Sequence, residues 1–326
     1  MIPRNVLCIV VLTYNEERNL PECLPSLQGL NGELVVVDSG STDRTLDIAR
    51  AHGARILSHP FTSHSEQWRW ALDELGKEAT WVLGLDADQR ISAALQEELG
   101  CLFGPEQFRL EGMDGFYVSR RQVFRGSWIR YGGYYPKYLL KLFRAAAVDF
   151  DPRDLMDHHF YVRGPTGRLR GDLIEDNQNE RDIGFWLRKH LRYAPLHAAE
   201  ELARRQAVDA WPLPPSLFGT PDQRIMWLKQ RWYRMPLYVR PFLYFAYRYF
   251  LLLGVLDGKQ GLIFHFLHSV WYRLLVDIYL DDLLRQQHRA DHSMPSAQIN
   301  PVVRFQRADR CPGDRRDENA DASRAT

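Results

Sequence analysis

The chain of 326 residues is poor in cysteine, with four, at positions 8, 23, 101 and 311, and no C-x-x-C pair among them. Such scattered thiols exclude a disulfide framework and a zinc ribbon, and they suit a reducing compartment. No uncharged apolar run reaches the ~18 residues that a membrane-crossing helix needs. The apolar stretch Val6–Leu12 is short and is followed by Thr-Tyr-Asn-Glu-Glu, not by a small-residue cleavage site. It therefore reads as a buried strand and not as a signal peptide. Net charge is also scarce: 42 Lys+Arg against 41 Asp+Glu leave +1, which argues against holding nucleic acid by bulk positive charge. Internal repeats are lacking. With 45% hydrophobic and 25% charged residues, wholesale disorder is excluded, and the length allows one large domain or two ordinary ones.

The near-zero charge hides a segregation. Residues 1–100 carry 8 basic and 15 acidic side chains, a net of −7, and the remaining 226 carry 34 and 26, a net of +8. An acidic first third and a basic body suggest different partners for different parts of the chain.

The first hundred residues alternate strand and helix signals. Val6–Leu12 is a continuous apolar run, as expected of a parallel strand covered on both faces. A helix is predicted over Asn15–Leu27, with Glu16 and Glu17 complementing the dipole of its first turn. Strands at Glu33–Val37, Ala54–Ser58 and Trp81–Leu85 alternate with helices at 41–51, Ser65–Gly76 and Ala93–Leu102. Such βα repetition predicts an α/β fold with a doubly wound, mostly parallel sheet. Beyond residue 110 the pattern changes to strands broken by Gly, Pro and aromatics, at Gly115–Arg121, Tyr138–Phe143 and Phe160–Arg163. A basic helix follows over 180–208, then a proline-rich linker at 212–221 and two or three aromatic, basic helices over 222–289.

Ligands of an open parallel sheet bind outside the carboxyl ends of the strands. Three polar clusters fall there: Thr13-Tyr14-Asn15-Glu16 after strand one, Asp38-Ser39-Gly40-Ser41 after strand two, and Asp86-Ala87-Asp88 after strand four. Each alone could be helix capping, and for Asp43 capping is the better reading. Three on one rim ask for more. Two carboxylates two residues apart can share a divalent ion that neutralises a diphosphate, since Mg²⁺ and Mn²⁺ prefer oxygen ligands and keep water and phosphate in their other positions.

Val10-Val-Leu-Thr-Tyr-Asn-Glu-Glu17, Val35-Val-Val-Asp-Ser-Gly-Ser-Thr-Asp43 and Leu83-Gly-Leu-Asp-Ala-Asp88 resemble the signature blocks of glycosyltransferase family 2, the inverting enzymes of GT-A fold. The nearest branch is the lipopolysaccharide-core β-glucosyltransferase-like group, which carries a Gln-rich helix comparable to Gln67-Trp-Arg-Trp-Ala-Leu72. The likeness is strong over 5–100, looser to about 205, and returns at Phe250–Gly258.

The resemblance implies a GT-A domain over 1–210, with a nucleotide-sugar half at 1–110 and an acceptor half at 111–210. A helical, membrane-peripheral extension at 211–290 and a disordered tail at 291–326 complete the expected organisation. It implies a hexosyltransferase acting on a nucleotide-sugar, a UDP-sugar first, and on a lipid-linked, lipopolysaccharide or exopolysaccharide acceptor. The donor would meet Thr13, Tyr14, Asn15, Glu16, Asp38, Gln67, Arg69, Asp86 and Ala87, and Asp88 with Asp86 would hold Mg²⁺ or Mn²⁺. The general base lies downstream in the family, and two clusters here qualify: Asp157-His158, preferred, and Asp176 beside Glu175. Related sequences often show His-Glu where this chain reads Asp157-His158. The implied location is cytoplasmic, at the inner face of the cytoplasmic membrane.

The acceptor side draws on the C-terminal half. From Arg231 to Phe250, nine of 20 residues are aromatic, with Arg231, Arg234, Arg240 and Arg248 interleaved. Rings and arginines together favour a bilayer interface, where the arginines would meet anionic lipid; a helical hairpin closing the core or a dimer interface is the plainer alternative. RNA stacking is disfavoured for want of a recognised RNA-binding module. Trp68 and Trp70 read as packing residues, and His265 and His268 as core or interface histidines. Two other functions compete: a non-catalytic, nucleotide-binding membrane scaffold, and a sugar nucleotidyltransferase. The second usually has a Gly-rich basic loop after strand one, whereas Thr13–Glu17 is acidic and glycine-free.

Overall fold

Strand β1 (Leu7–Thr13) runs between two parallel neighbours, β2 (Gly32–Asp38) and β4 (Trp81–Asp86), with β3 (Arg55–Ser58) outside β2. In this computed structural model, which describes residues 6–76, 79–155, 159–207 and 211–293, that arrangement explains the apolar runs. Side chains of a strand alternate between faces. Leu7, Ile9 and Val11 enter one core with Leu24, Leu95 and Leu99, while Cys8 and Val10 enter the opposite core with Trp68 and Phe160. Both faces are covered, so polar alternation is absent.

The helices α1 (Leu20–Ser26), α2 (Thr45–Ala51), α3 (His64–Leu75) and α4 (Ala93–Leu102) fall close to their predicted places. The first is the exception. Its predicted start at Asn15 moves to Leu20, because Asn15 sits in the left-handed region (φ 55) and the chain turns before it coils.

Beyond β4 the sheet continues in the order β8-β6-β9-β5, from β5 (Gln89–Ile91), β6 (Gly115–Phe124), β8 (Lys137–Arg144) and β9 (Thr166–Glu175). β7 (Ser127–Ile129) forms a hairpin with β6. β8 is antiparallel to both β4 and β6, and β9 runs parallel to β6. The result is an α/β fold: a parallel half for the first hundred residues, then a mixed half. Two details differ from the sequence expectation. Phe160–Arg163 is not a strand; Tyr161 makes a single bridge to Asp149, and Phe160 fills the core against Trp68 and Phe143. The strand lies a few residues on, at β9, where exposed Arg168 and Arg170 flank buried Leu169.

The C-terminal helices are α5 (Ile183–Gln206), α6 (Pro221–Tyr233), α7 (Arg240–Ala246), α8 (Gly258–Phe266) and α9 (Tyr272–Ser293). α5 packs on α9 through Ala194, Ala198, Leu202, Tyr272, Val276 and Leu280. A second cluster joins Phe124, Ile129 and Tyr134 of the sheet side to Trp186 and Phe264. The helices thus share cores with residues 111–210.

The arginines of 231–250 do not all face outward, and the lipid-facing expectation is corrected for two of them. Arg240 is fully buried, within 2.8 Å of Asp277 and 2.7 Å of Glu201. Arg248 lies over the Tyr134 ring, 3.9 Å from its centroid, and donates to the Gly132 carbonyl. A guanidinium buried this way needs paired carboxylates or ring faces, and the fold supplies both. Arg231 and Arg234 are exposed.

Candidate active site at the carboxyl rim of the sheet

The parallel register sets Thr13 opposite Asp38 and Leu12 opposite Asp86, with Ser58 beside Asp38. Three of the polar strand ends therefore stand in a row on one rim, where open α/β sheets bind ligands.

Asp38 is buried and builds the turn that follows it. One oxygen accepts from the Thr13 and Ser41 hydroxyls, the former at 3.0 Å, and the other from the N–H groups of Gly40 and Ser41 at 2.9 and 2.8 Å. Gly40 takes φ +95, a conformation that favours glycine. The loop after β1 is laced to this turn. Asn15 donates its N–H to Ser41 Oγ and accepts from the Thr42 N–H, both at 2.8 Å, and the Glu16 N–H reaches Thr45 Oγ1 at 2.7 Å. Asp43 accepts from the Thr45 and Glu17 N–H groups, in keeping with its capping role. Tyr14 stands exposed at the edge.

Gln67 joins the same rim from α3. Its Oε1 meets His59 Nδ1 at 2.8 Å, and its Nε2 donates to Ser39 Oγ and the His59 carbonyl at 3.3 Å. His59 in turn donates its N–H to the Asp38 carbonyl and stacks on Trp70. Arg69 is not brought there. Two residues along a helix turn the side chain by about 200°, so Arg69 is exposed on the other side of α3 and donates to the Phe150 carbonyl at 3.0 Å. Trp68 is a core residue.

Asp86 closes β4, and its N–H donates to Gln89 Oε1 at 3.2 Å. Its carboxylate is 3.1 Å from Lys141 Nζ. Ala87, between the two aspartates, turns into the core. Asp88 accepts from Asn177 Nδ2 at 3.1 Å, and its carbonyl accepts from the Asp176 N–H at 3.0 Å. Glu175 is held by Arg120 and Gln89, each at 3.1 Å. Glu16 accepts from Asn19, whose Oδ1 receives the Gln178 N–H at 2.7 Å. Loops from both halves of the sheet thus meet at Asp88.

Negative charge is concentrated here. Burial first, then the charges of Glu175, Asp86 and Glu16, hold the Asp88 carboxyl well above its usual range. Burial likewise lifts Glu16 to about 7 against the Asn19 hydrogen bond, with Asp86 adding to the rise. Burial opposes the charge on Lys189, yet Glu180, 2.7 Å away, and Asp88 hold its ammonium above the ordinary lysine range.

Among the described residues no group of three or more His, Cys, Asp or Glu side chains forms a ready-made metal cage. The donor set does fit a hard divalent ion that takes two aspartates and fills its remaining positions with water and diphosphate oxygens. The mutual repulsion of Asp86, Asp88, Glu16 and Glu175 is what such an ion would relieve.

Of the residues proposed as base, Asp157 and His158 lie outside the described residues. Asp176 is buried, its carboxylate 3.4 Å from Arg90 and 3.3 Å from Arg181. Sequence reasoning missed Lys141, Asn19, Gln89 and Lys189. The signal for Lys141 was a lone cation inside the apolar strand Tyr138–Phe143, costly to bury unless paired.

Residues 8–99 match the family described as glycosyl transferase family 2. The chain is 29% identical over 185 residues to the lipopolysaccharide core biosynthesis glycosyltransferase LpsC of Rhizobium meliloti (strain 1021), covering 53% of this chain and 64% of that protein. It is 33% identical over 93 residues to an uncharacterized glycosyltransferase of Rickettsia typhi (strain ATCC VR-144 / Wilmington), covering 28% of this chain and 31% of that one. The chain thus spans less than two thirds of either relative. Among solved structures, S. aureus TarS 1-349 is 15% identical with a TM-score of 0.37, over 86% of this chain and 92% of that one. Glucosyl-3-phosphoglycerate synthase from Mycobacterium tuberculosis, in complex with Mn²⁺, uridine-diphosphate and glucosyl-3-phosphoglycerate, is 27% identical with a TM-score of 0.28, over 36% and 44%.

Proposed function

We propose that this chain, which carries a glycosyl transferase family 2 segment over residues 8–99, moves a hexose from a UDP-sugar to a lipid-linked or lipopolysaccharide-type glycan, with inversion and with a divalent cation. The observation that carries this reading is the row of polar strand ends on one rim, with Asp86 and Asp88 set between Glu16 and Glu175. The likeness to a protein named for lipopolysaccharide core biosynthesis supports the acceptor class.

In this reading the donor lies along the rim. Asp38, Gln67 and the Thr13–Glu16 loop border the nucleotide, and the exposed Tyr14 offers a ring face. Asp88 and Asp86 hold Mg²⁺ or Mn²⁺, which when bound stabilises the departing diphosphate electrostatically. Lys141 keeps the Asp86 carboxylate oriented, and Asn177 does the same for Asp88. A base takes the proton of the acceptor hydroxyl as that oxygen attacks the anomeric carbon from the face opposite the diphosphate. Asp157, His158 and Asp176 are the candidates.

The test is nucleotide release from a panel of UDP-sugars, with Mn²⁺ and a core-oligosaccharide acceptor, by the full chain and by Asp88→Asn. Expected are metal-dependent transfer by the native protein and its loss in the variant at an unchanged melting temperature. Nucleotide binding that is indifferent to metal and never followed by turnover would instead favour the scaffold reading.

A further inference from the structure

Between Met235 and Gly258 the sequence carries three charged residues, Arg240, Arg248 and Asp257, and all three turn inward. Arg240 is enclosed by Glu201 and Asp277, and Arg248 by Tyr134 and Tyr244. Asp257 accepts from the N–H groups of Arg130 and Tyr131 at 3.0 and 2.9 Å. Apolar side chains of the same segment do the opposite. Phe242, Leu243, Leu253 and Leu256 are each more than half exposed, Phe250 is 59% exposed and Leu251 74%. A scattered exposed leucine needs no explanation, but a contiguous apolar face with its charges turned inward marks an interaction surface.

We propose that residues 239–266 form a wedge that enters the hydrocarbon of one bilayer leaflet and sets the loop 130–136 at headgroup level. Three observations favour lipid as the occupant. The outward tip, Phe250-Leu-Leu-Leu-Gly-Val-Leu256, offers no side-chain hydrogen-bonding group, whereas protein interfaces carry about one hydrogen bond per 100–200 Å². Exposed cations stand at the margins of the wedge, Arg130 on the adjoining loop and Lys259 at the start of α8, where they suit anionic headgroups. The two arms are also apolar enough together for a broken span or a re-entrant loop. Among the described residues no single helix is long and apolar enough to span a bilayer, and the arms 240–251 and 254–289 meet at 76°. The second arm is retained by the body of the protein, since α9 packs on α5 and its Asp277 pairs with Arg240.

The wedge is joined to the acceptor half by backbone contacts. The Gly132 N–H donates to the Leu252 carbonyl at 2.9 Å, and the Arg248 guanidinium returns to the Gly132 carbonyl at 2.6 Å. A Cβ on Gly132 would stand 2.1 Å from the His265 ring, so this approach requires glycine. The same loop sends Tyr135 to Asp172 at 3.1 Å and continues into β8, where Lys141 pairs with Asp86. A leaflet-bound acceptor would therefore arrive beside the rim, a consequence that rests on the lipid-linked acceptor of the preceding section.

Sedimentation of the full chain with phosphatidylcholine vesicles, and with vesicles also containing phosphatidylglycerol, tests the wedge without donor, metal or acceptor. Binding to both is expected, stronger with the anionic lipid and persisting in high salt, which screens charge but not burial. The double variant Leu251→Glu/Leu256→Glu should partition at least about tenfold more weakly, given the free energy of burying two leucines. Should that variant misfold, Phe250→Trp gives an independent reading: its emission should shift to the blue and be quenched by brominated acyl chains. Native protein left in the supernatant with both vesicles, or an unquenched Phe250→Trp variant, overturns the wedge. So does a dimer in light scattering that the double variant dissociates, with no vesicle binding, which would identify the occupant as a second copy. Vesicle binding without any sugar transfer to a soluble acceptor would leave the wedge standing and remove the proposed function instead.

Discussion

Lys141 Nζ lies 3.1 Å from Asp86 Oδ2, so the middle of β8 is tied by an ion pair to the last residue of β4. The lysine is almost fully buried, and the pair joins the parallel half of the sheet to the mixed half at the Asp86-x-Asp88 corner. Lys141→Met keeps most of the side-chain volume but leaves Asp86 facing the neighbouring carboxylates without its cation. Sugar transfer is expected to fall by about 100-fold, or ~3 kcal/mol, the order of a broken buried pair. Lys141→Arg should recover part of it. Initial rates, read beside melting temperatures, check this; an unchanged rate would remove Lys141 from the site.

Arg240 predicts a different kind of loss. Its guanidinium joins Glu201 of α5 to Asp277 of α9 with no solvent exposure at any of the three. Removing the cation leaves Glu201 with Arg205 alone and Asp277 with only the Tyr238 N–H and no opposite charge among the described residues, and Arg240→Met should destabilise the protein by about 3 kcal/mol. The triple replacement Arg240→Met, Glu201→Leu and Asp277→Leu should recover most of that loss, because apolar packing replaces buried ion pairs at little cost. Urea midpoints of the two variants separate these outcomes. Equal loss in both would show that the ion pairs themselves, and not the stranded charge, set the stability.

The histidines of the helical half predict acid sensitivity. Burial lowers His190 and His265 to about 4, and holds His197 and His268 well below the ordinary value. The folded state therefore resists protons that the unfolded chain accepts below about 6.5. Their contribution is fully present above that pH and is lost as pH falls from about 6.5 toward 4, by about 3 kcal/mol for His265 when fully titrated. Melting temperatures across that window should drop steeply in the native protein and less in His265→Leu. A pH-independent difference between the two would dismiss the linkage.

The rim residues were legible because parallel strands buried on both faces leave continuous apolar runs that end abruptly in polar residues. Thr13, Asp38 and Asp86 needed no coordinates to be placed together. β9 was harder to read: Arg168 and Arg170 alternate with Gly167, Leu169 and Gly171, and the neighbouring aromatics at 160–161 gave a stronger strand signal. Phe160 packs into the core and Tyr161 against Leu213 and Met226, both from irregular backbone. Arg69 shows a related limit, since its helical position two residues from Gln67 points it away from the rim.

The sequence by itself determined the βα order, the polar rim and the segregation of charge, because each follows from local periodicity and composition. Direction belonged to the tertiary structure. Composition counts Arg240 and Arg248 as basic residues among aromatics, yet only packing reveals that they point inward while Phe250 and Leu251 point out. The same holds at the rim. Lys141 and Asn177 lie 55 and 89 positions from the aspartates they hold, and their approach depends on where β8 and β9 fall in the sheet. Side-chain orientation and long-range register are set by burying both faces of the sheet at once, and no local signal encodes that constraint.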